Sequence, residues 1–322
     1  VVKRALEVSE LSNGAFDITV QPLVALWSFS RDKPETFQVP PQAAITAALQ
    51  RTGYQKLQVR LDPPALQKSI PNLQIDLSAI AKGYAVDRVA ERLDALGLDH
   101  YLIEVGGEIR TSGEKPDKTG WKVGIEEPTS GVRKPYRVVE LYHKSLASSG
   151  DYRNFFEHEG KRYSHTIDPR TGRPVDHAVT AASVIASDCT MADAIATAIM
   201  VLGKDQGMVL AEKAGVQALV LERSGDELVA TQTSSFPRQP IIEKSDNDGS
   251  IFRMIGIASV FFLLAVVAMA IGVIFGRDRI KGSCGGIAAL DNPDISPECS
   301  LCSRAAECND LKKEMKRRQT SS

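Results

Sequence analysis

The sequence predicts an α+β domain over residues 1–230, then one transmembrane helix and a short cysteine-rich tail. Three stretches lead to this reading. "SDCTMADAIATAIMVLG" (187–203) carries Ala192, Ile195, Ile199 and Leu202 at the 3, 4, 3 spacing of a buried helical stripe. "YLIEVGGEIRTSG" (101–113) reads as strand, Gly106-Gly107, strand, a glycine pair that permits a bulge or a close ligand approach. "MIGIASVFFLLAVVAMAIGVIF" (254–275) contains no charged residue, and about 20 apolar residues cross a bilayer core.

The 322 residues are 43% hydrophobic, with a net charge of −1, an ordinary globular balance. With no basic excess and few aromatics, nothing points to nucleic acid as a partner. The opening "VVKRALEVSE" already reads as helix and has no basic-then-apolar leader, so the chain is expected to begin inside a domain. Residues 231–250, "TQTSSFPRQPIIEKSDNDGS", read as a polar linker. Arg277, Arg279 and Lys281 follow the apolar run, whereas "EKSDNDGS" precedes it. The positive-inside rule therefore puts the tail (276–322) in the cytoplasm and the large domain on the far side of the membrane. Cysteines divide the same way. Only Cys189 lies in the first 250 residues, while Cys284, Cys299, Cys302 and Cys308 crowd the tail. In a reducing compartment these four read as metal ligands or redox thiols, with Cys299-x₂-Cys302 a common metal pair. Their spacing matches no standard zinc or ferredoxin pattern, which leaves the metal's identity open.

Within the 187–203 helix, Asp193 and Thr197 lie one turn apart and point the same way. Two readings fit. Thr190 and Asp193 suit a capping box, with Thr197 bonding the carbonyl of residue 193 and Gly203 closing the helix. Alternatively, carboxylate and hydroxyl oxygens aimed at one point are the donors a hard cation such as magnesium takes.

Residues 13–32 are expected to begin with a turn and a short strand, with Trp27 and Phe29 in the core or along a groove wall. In "LQIDLSAIAKGYAVDRVAERLDALG" (73–97), an apolar strand ends at Asp76, Ser78 caps, and a helix packs Val86, Val89, Ala90, Leu93 and Leu96. Gly83 in its first turn has no structural use there unless something approaches the backbone closely. Free amides at this helix start, with Lys82 beside them, suit a phosphate. Residues 144–154 read as a small-residue turn leading to Asp151. In "YSHTIDPRTGRPV" (163–175), Asp168-Pro169-Arg170-Thr171-Gly172 is a turn signature. His165 precedes it, either as a structural residue or as a base whose near-neutral pKa suits proton transfer.

Together, "FDITVQPLVALWSF", "DLSAIAKGYAVD", "EVGGEIR", "SSGDY", "SHTIDPRTGRPV" and "ADAIATAIMVLG" resemble, in this order, the ApbE-type FAD:protein FMN transferases. The resemblance covers nearly all of residues 1–230 and implies an ApbE-like domain that cleaves FAD with magnesium. FMN then passes to a threonine or serine hydroxyl of a target protein, and AMP is released. By the same resemblance Asp193 and Thr197 hold the magnesium, joined by a backbone carbonyl in the "AIAKG" turn, assigned to Ala81. His165 becomes the base, and Asp76, Lys82, Gly83, Asp87, Gly106 and Gly107 line the FAD site. Family members carry a flavin-contacting segment ahead of the part matched here. The domain is therefore expected to be N-terminally truncated and to bind FAD weakly. No acceptor-like segment is seen, so self-flavinylation is not expected.

The apolar span followed by "KGSCGGIAAL" and "CSLCSRAAEC" resembles the maturation protein of the sodium-translocating NADH:quinone reductase. That likeness implies a single-pass protein of a bacterial inner membrane with a periplasmic catalytic domain. Its tail cysteines would handle iron, and its partners would be the flavin-accepting subunits of that reductase. An FAD pyrophosphatase giving FMN and AMP, or a non-enzymatic membrane assembly factor, are the competing expectations.

Overall fold

The first ten helical residues form α1 (Val2–Leu11), as the sequence suggests, followed by α2 (Gln21–Leu26) and α3 (Gln42–Leu49). The short strand expected after residue 13 is absent. Asn13 and Gly14 have positive φ, and the Asp17 carboxylate accepts from the amides of Thr19 and Tyr54 at 2.7 Å each. A side chain that satisfies local amides in this way competes with a strand ladder. The structure is a computed structural model that describes residues 1–29, 38–129, 134–151, 155–225 and 227–238. Contacts divide the chain into two units, Val1–Ile242 and Glu243–Ser322. The apolar segment 254–275 and Cys284, Cys299, Cys302 and Cys308 lie outside the described residues.

An exposed hairpin of β1 (Leu57–Leu61) and β2 (Pro64–Lys68) leads to α4 (Ala81–Ala95), and then to β3 (Tyr101–Val105) and β4 (Glu108–Ser112). Next come the ribbon of β5 (Trp121–Glu126) and β6 (Pro135–Leu141), β7 (Ser145–Gly150), and the hairpin of β8 (Phe155–His158) and β9 (Lys161–Ser164). A tight pair, β10 (Ile167–Asp168) and β11 (Arg173–Pro174), precedes β12 (Val179–Ala186), α5 (Cys189–Lys213), β13 (Gln217–Ser224) and β14 (Glu227–Gln232).

Six strands make one antiparallel sheet in the order β14-β13-β12-β7-β4-β3. Both faces are covered, and β12 shows why its sequence, VTAASVIA, is apolar almost throughout. Ala182, Val184 and Ala186 join the cluster around Ile195 and Ile199 of α5, while Ala181 and Ile185 join Val123, Ile125, Val139 and Leu141 of the β5–β6 ribbon. Period-two alternation sends neighbouring side chains to opposite faces, so a strand buried on both sides loses its polar positions. Residues 144–154, expected as a turn, supply β7 next to β12, because small side chains fit beneath α5.

Among the described residues, α5 is long and apolar enough to cross a membrane, yet most of it is buried inside this domain. Gly203 separates two helical segments of α5. Its φ of 75° and ψ of −178° are non-helical, so it closes the first helical segment as expected, and a second segment follows directly to Lys213. The expected linker from residue 231 also begins too early: Gln232 belongs to β14, and Phe236 is buried in the ribbon-side core.

The N-terminal turns of α4 and α5 cap each other. Asp87 of α4 accepts from the amides of Cys189 (2.9 Å) and Thr190 (2.8 Å), and Arg110 holds the same carboxylate at 2.7 Å. In return Asp193 of α5 accepts from the amide of Gly83 at 2.9 Å. The expected capping box is thus replaced: Asp188 is the N-cap, accepting from Met191 at 2.8 Å, and Arg4 of α1 holds its other oxygen. The first-turn amides of a helix have no internal partner, and here three carboxylates supply them. Ser78 likewise is not the cap of α4. Its amide donates to Asp76 in a turn, and Ile80 occupies the cap position.

The α4 stripe is also rotated from its expected place. Gly83, Val86, Asp87 and Ala90 face inward, leaving Val89 43% and Leu96 56% exposed. Removing the Asp87 carboxylate strands two helix amides and one guanidinium. Asp87→Ala should therefore lower unfolding stability by about 3 kcal/mol, read as a lower denaturant midpoint at unchanged slope.

Candidate functional site

A cavity of about 670 Å³ opens where the α2 segment, the 76–82 loop, the β4 start, the end of β7, residues 165–169 and α5 meet. Asp193 and Thr197 line it from α5, with Asp76, Lys82, Gly106 and His165 on the other contributing segments. Asp193 and Thr197 share the wall because they are one helical turn apart on the inward face.

Charge in the cavity is concentrated in a buried cluster. The Lys82 ammonium lies 2.6 Å from Glu108 and 3.4 Å from Asp193, both of them 2% exposed as side chains. Burial pushes the carboxyls of Asp193 and Glu108 above the ordinary carboxylate range, against the pull of Lys82. Burial opposes the Lys82 charge as well, but the two carboxylates outweigh it and its pKa rises. The second oxygen of Glu108 is buried and has no hydrogen-bond partner among the described residues. Thr197 sits 3.2 Å from the hydroxyl of Ser149, its hydrogen-bond partner among the described residues, rather than on the residue 193 carbonyl of the capping alternative.

His165 lies between β9 and the β10–β11 pair. The Asp168–Gly172 turn closes as the sequence predicts, with the Gly172 amide donating to the Asp168 carbonyl at 2.8 Å and Gly172 at φ 70°. The Trp27 indole donates to the Gly172 carbonyl at 2.8 Å, which places Trp27 in the core and ties this turn to α2. Phe29 lies on the cavity wall. It stacks on Phe156, which stacks on Tyr163, each pair with centroids 5.1 Å apart, and its ring meets His165 edge-on at 6.3 Å.

Not every residue expected in the site lies in it. Asp87 is buried in the α4–α5 capping network and lies outside the cavity lining, because two helix amides claim its oxygens. Gly83 is needed for packing: a Cβ there would stand 2.3 Å from the Cys189 carbonyl oxygen. Gly106 and Gly107, at φ 63° and 99°, make the β3–β4 turn, and only Gly106 reaches the cavity. Ala79, two residues before the α4 start, lines the wall where Ala81 was expected. Sequence reasoning passed over Glu108, Ser149 and Asp17. The signal for Glu108 was present, since a lysine in the first turn of a packed helix needs a counter-charge, and "GGEIR" offers one.

Among the described residues, no group of three or more His, Cys, Asp or Glu is arranged to hold a metal. The available oxygen set is one carboxylate and one hydroxyl on α5, with the Glu108 carboxylate nearby. Magnesium is commonly bound by one or two carboxylates plus substrate phosphates, and this set suits that mode.

With this geometry in place, comparison with known proteins is direct. Residues 1–220 match the model of the ApbE family, and residues 273–321 match that of the (Na+)-NQR maturation protein NqrM. The FAD:protein FMN transferase of Vibrio cholerae is 40% identical over 245 residues, covering 76% of this chain and 72% of that protein. The corresponding Escherichia coli K12 protein is 35% identical over 247 residues, covering 76% and 70%. The apo crystal structure of the Pseudomonas stutzeri flavinyl transferase ApbE aligns with a TM-score of 0.64 at 42% identity, covering 72% of this chain and 71% of that one. The Vibrio cholerae flavin transferase structure aligns with a TM-score of 0.64 at 38% identity, covering 73% and 74%. The chain belongs to the ApbE family and is an enzyme of the flavin-transferase class.

The two kinds of glycine separate experimentally. Gly83→Ala should break the α4–α5 contact and abolish cooperative folding. Gly107→Ala, with open space around it, should cost only about 1–2 kcal/mol of backbone strain. Thermal melts of the two variants check this.

Proposed function

We propose that the domain transfers the FMN half of FAD to a threonine or serine hydroxyl of a protein substrate, releasing AMP, with magnesium required. The observation that carries this reading is one cavity lined by Asp193 and Thr197 of α5, Lys82 of α4 and His165. Magnesium would be held by the Asp193 carboxylate, the Thr197 hydroxyl and a backbone carbonyl, for which Ala79 now stands in place of Ala81. Bound there, it supplies charge neutralisation at the pyrophosphate and at the departing AMP.

Phosphoryl transfer asks the protein for positioning and electrostatics rather than covalent help. His165 takes the proton of the acceptor hydroxyl as that oxygen attacks the FMN-side phosphorus. The phosphoanhydride bond breaks, and AMP leaves with its electrons. Lys82, held by Glu108, adds positive charge at the phosphates. Asp76 and Gly106 complete the FAD wall, and the Phe29 ring borders the base.

The remaining chain extends the proposal. Residues 254–275 cross a bacterial inner membrane once, with the flavin domain periplasmic and 276–322 cytoplasmic. The charge-free run and the basic cluster after it support that orientation. Cys284, Cys299, Cys302 and Cys308 bind iron or another metal and assist maturation of the sodium-translocating NADH:quinone reductase, whose flavin-accepting subunits are the partners of the domain. The match of residues 273–321 to the NqrM model supports this.

The test incubates the full chain with FAD, magnesium and a threonine-bearing subunit of that reductase, and reads intact mass. The expected result is a mass gain of one FMN, lost on chelation and absent with Asp193→Ala. Because Asp193 also accepts the Gly83 amide, Asp193→Asn is run beside it to separate metal loss from unfolding. His165→Ala should slow transfer by about 10²–10⁴-fold while FAD still binds. AMP release without a mass gain on the protein would identify a pyrophosphatase instead.

A further inference from the structure

We propose that Ser149 is the positioning residue of Thr197: its hydroxyl takes the Thr197 proton and so turns a lone pair of that oxygen toward the divalent cation. The inference deepens the transferase reading and rests on its assignment of Thr197 as a metal ligand.

Strand periodicity puts Ser149 under the helix. Side chains of a strand alternate between faces. On β7, Ala147 joins the cluster beneath α5, while Leu146 joins the ribbon-side cluster. Ser149, two residues beyond Ala147, belongs to the α5 face. Ser148 belongs to the other face, where its hydroxyl meets that of Ser183 at 2.7 Å. Across the ladder Ser149 pairs with Ala182 of β12, which also joins the cluster beneath α5. Neither Ala147 nor Ala182 has a polar side-chain atom, so neither offers the Ser149 hydroxyl a bond.

The helix supplies that bond. From Ala192 to Val201 every residue of α5 is buried except Thr197, and Thr197 and Ser149 both line the cavity. Their oxygens are 3.2 Å apart and hydrogen-bonded. A mid-helix threonine commonly turns its hydroxyl back onto a carbonyl of its own helix. Here the hydroxyl is drawn across to the strand instead.

A hydroxyl has one proton and two lone pairs. An oxygen that gives a lone pair to a cation must place its proton on an acceptor, and Ser149 is the acceptor in reach. With the proton there, a Thr197 lone pair is left for the cavity, on the side where Asp193 stands one turn earlier. The bond is longer than the usual hydroxyl–hydroxyl distance of about 2.7–2.8 Å. Coordination to a cation makes a hydroxyl the stronger donor, and bonds of that kind are short. A partner that orients a metal ligand in this way is worth about 10–100-fold in metal affinity.

The test titrates the full chain with manganese(II), which takes the same oxygen ligands as magnesium. Free ion is read by electron paramagnetic resonance at a fixed ADP concentration that supplies a diphosphate, and the ADP-only curve is subtracted. Ser149→Ala should weaken manganese binding about 10-fold, and Ser149→Thr, which keeps a hydroxyl, should restore most of it. Thr197→Val should weaken binding at least as much. In the Thr197→Val background Ser149→Ala should change nothing further, because Ser149 acts only through the Thr197 oxygen. A serine that merely packs would alter the thermal midpoint and leave the manganese curve in place.

An unmoved manganese curve in Ser149→Ala overturns the proposal. Additive losses in the double variant also overturn it, since Ser149 would then meet the ion itself. Should Ser149→Ala fail to fold, Ser149→Thr and Ser149→Val differ only by the hydroxyl, and equal curves for those two overturn it as well. A wild-type chain that takes no manganese does the same. The two readings fail separately. If the curves move as expected and the wild-type chain transfers no FMN, the transferase reading falls and the pair stands. If the wild-type chain transfers FMN and Ser149→Ala binds manganese unchanged, the pair falls and the transferase stands.

Discussion

The mutual capping of α4 and α5 is the constraint on which the rest of the domain depends. Each helix begins where the other supplies a carboxylate: Asp87 serves the Cys189 and Thr190 amides, and Asp193 serves Gly83. Two positive helix ends brought this close would repel each other without those carboxylates. Only glycine at position 83 lets the backbones approach closely enough. Asp193 consequently has two duties, one oxygen on the α4 amide and one turned toward Lys82. The placement of the cavity wall and the folding of the domain thus rest on the same contact.

This arrangement explains how so much charge is tolerated inside. Lys82, Glu108 and Asp193 form a group with one cation and two anions, all partly or fully removed from water. An isolated buried charge is expensive, while a cluster in which each ion has an opposite neighbour can be held. The formal excess of one negative charge lies at the cavity wall. Across the same space the walls change character, with Phe29, Val20, Val24 and Ile167 giving an apolar side. A ligand that is ionic at one end and flat and apolar at the other is what such a cavity accommodates.

Much of the architecture was legible because its signals are local. The α5 stripe of Ala192, Ile195 and Ile199, the Gly106-Gly107 hairpin and the Asp168–Gly172 turn each follow from a few neighbouring residues. The errors arose where distant partners decide. Asp87 looks like a site residue in sequence, and only the arrival of α5, about a hundred residues later in the chain, turns it into a cap. Val89 and Leu96 fit a helical stripe, but the face of α4 is chosen by Gly83 and Asp87 against α5, which turns them to solvent. Residues 145–150 read as a turn by composition and became a strand, because the sheet needs small side chains beneath a helix. Among the residues expected in the site, Asp193, Thr197, Lys82, Asp76, Gly106 and His165 were brought together, while Glu108 had to be seen to be found.

Cys189, at the first turn of α5, is completely buried, and burial pushes its thiol far toward the protonated form. Thiols react as thiolates, so this sulfur is closed to oxidants and alkylating reagents while the domain is folded. In a thiol titration Cys189 would be counted after unfolding and not before, so its appearance would report the loss of the α4–α5 crossing.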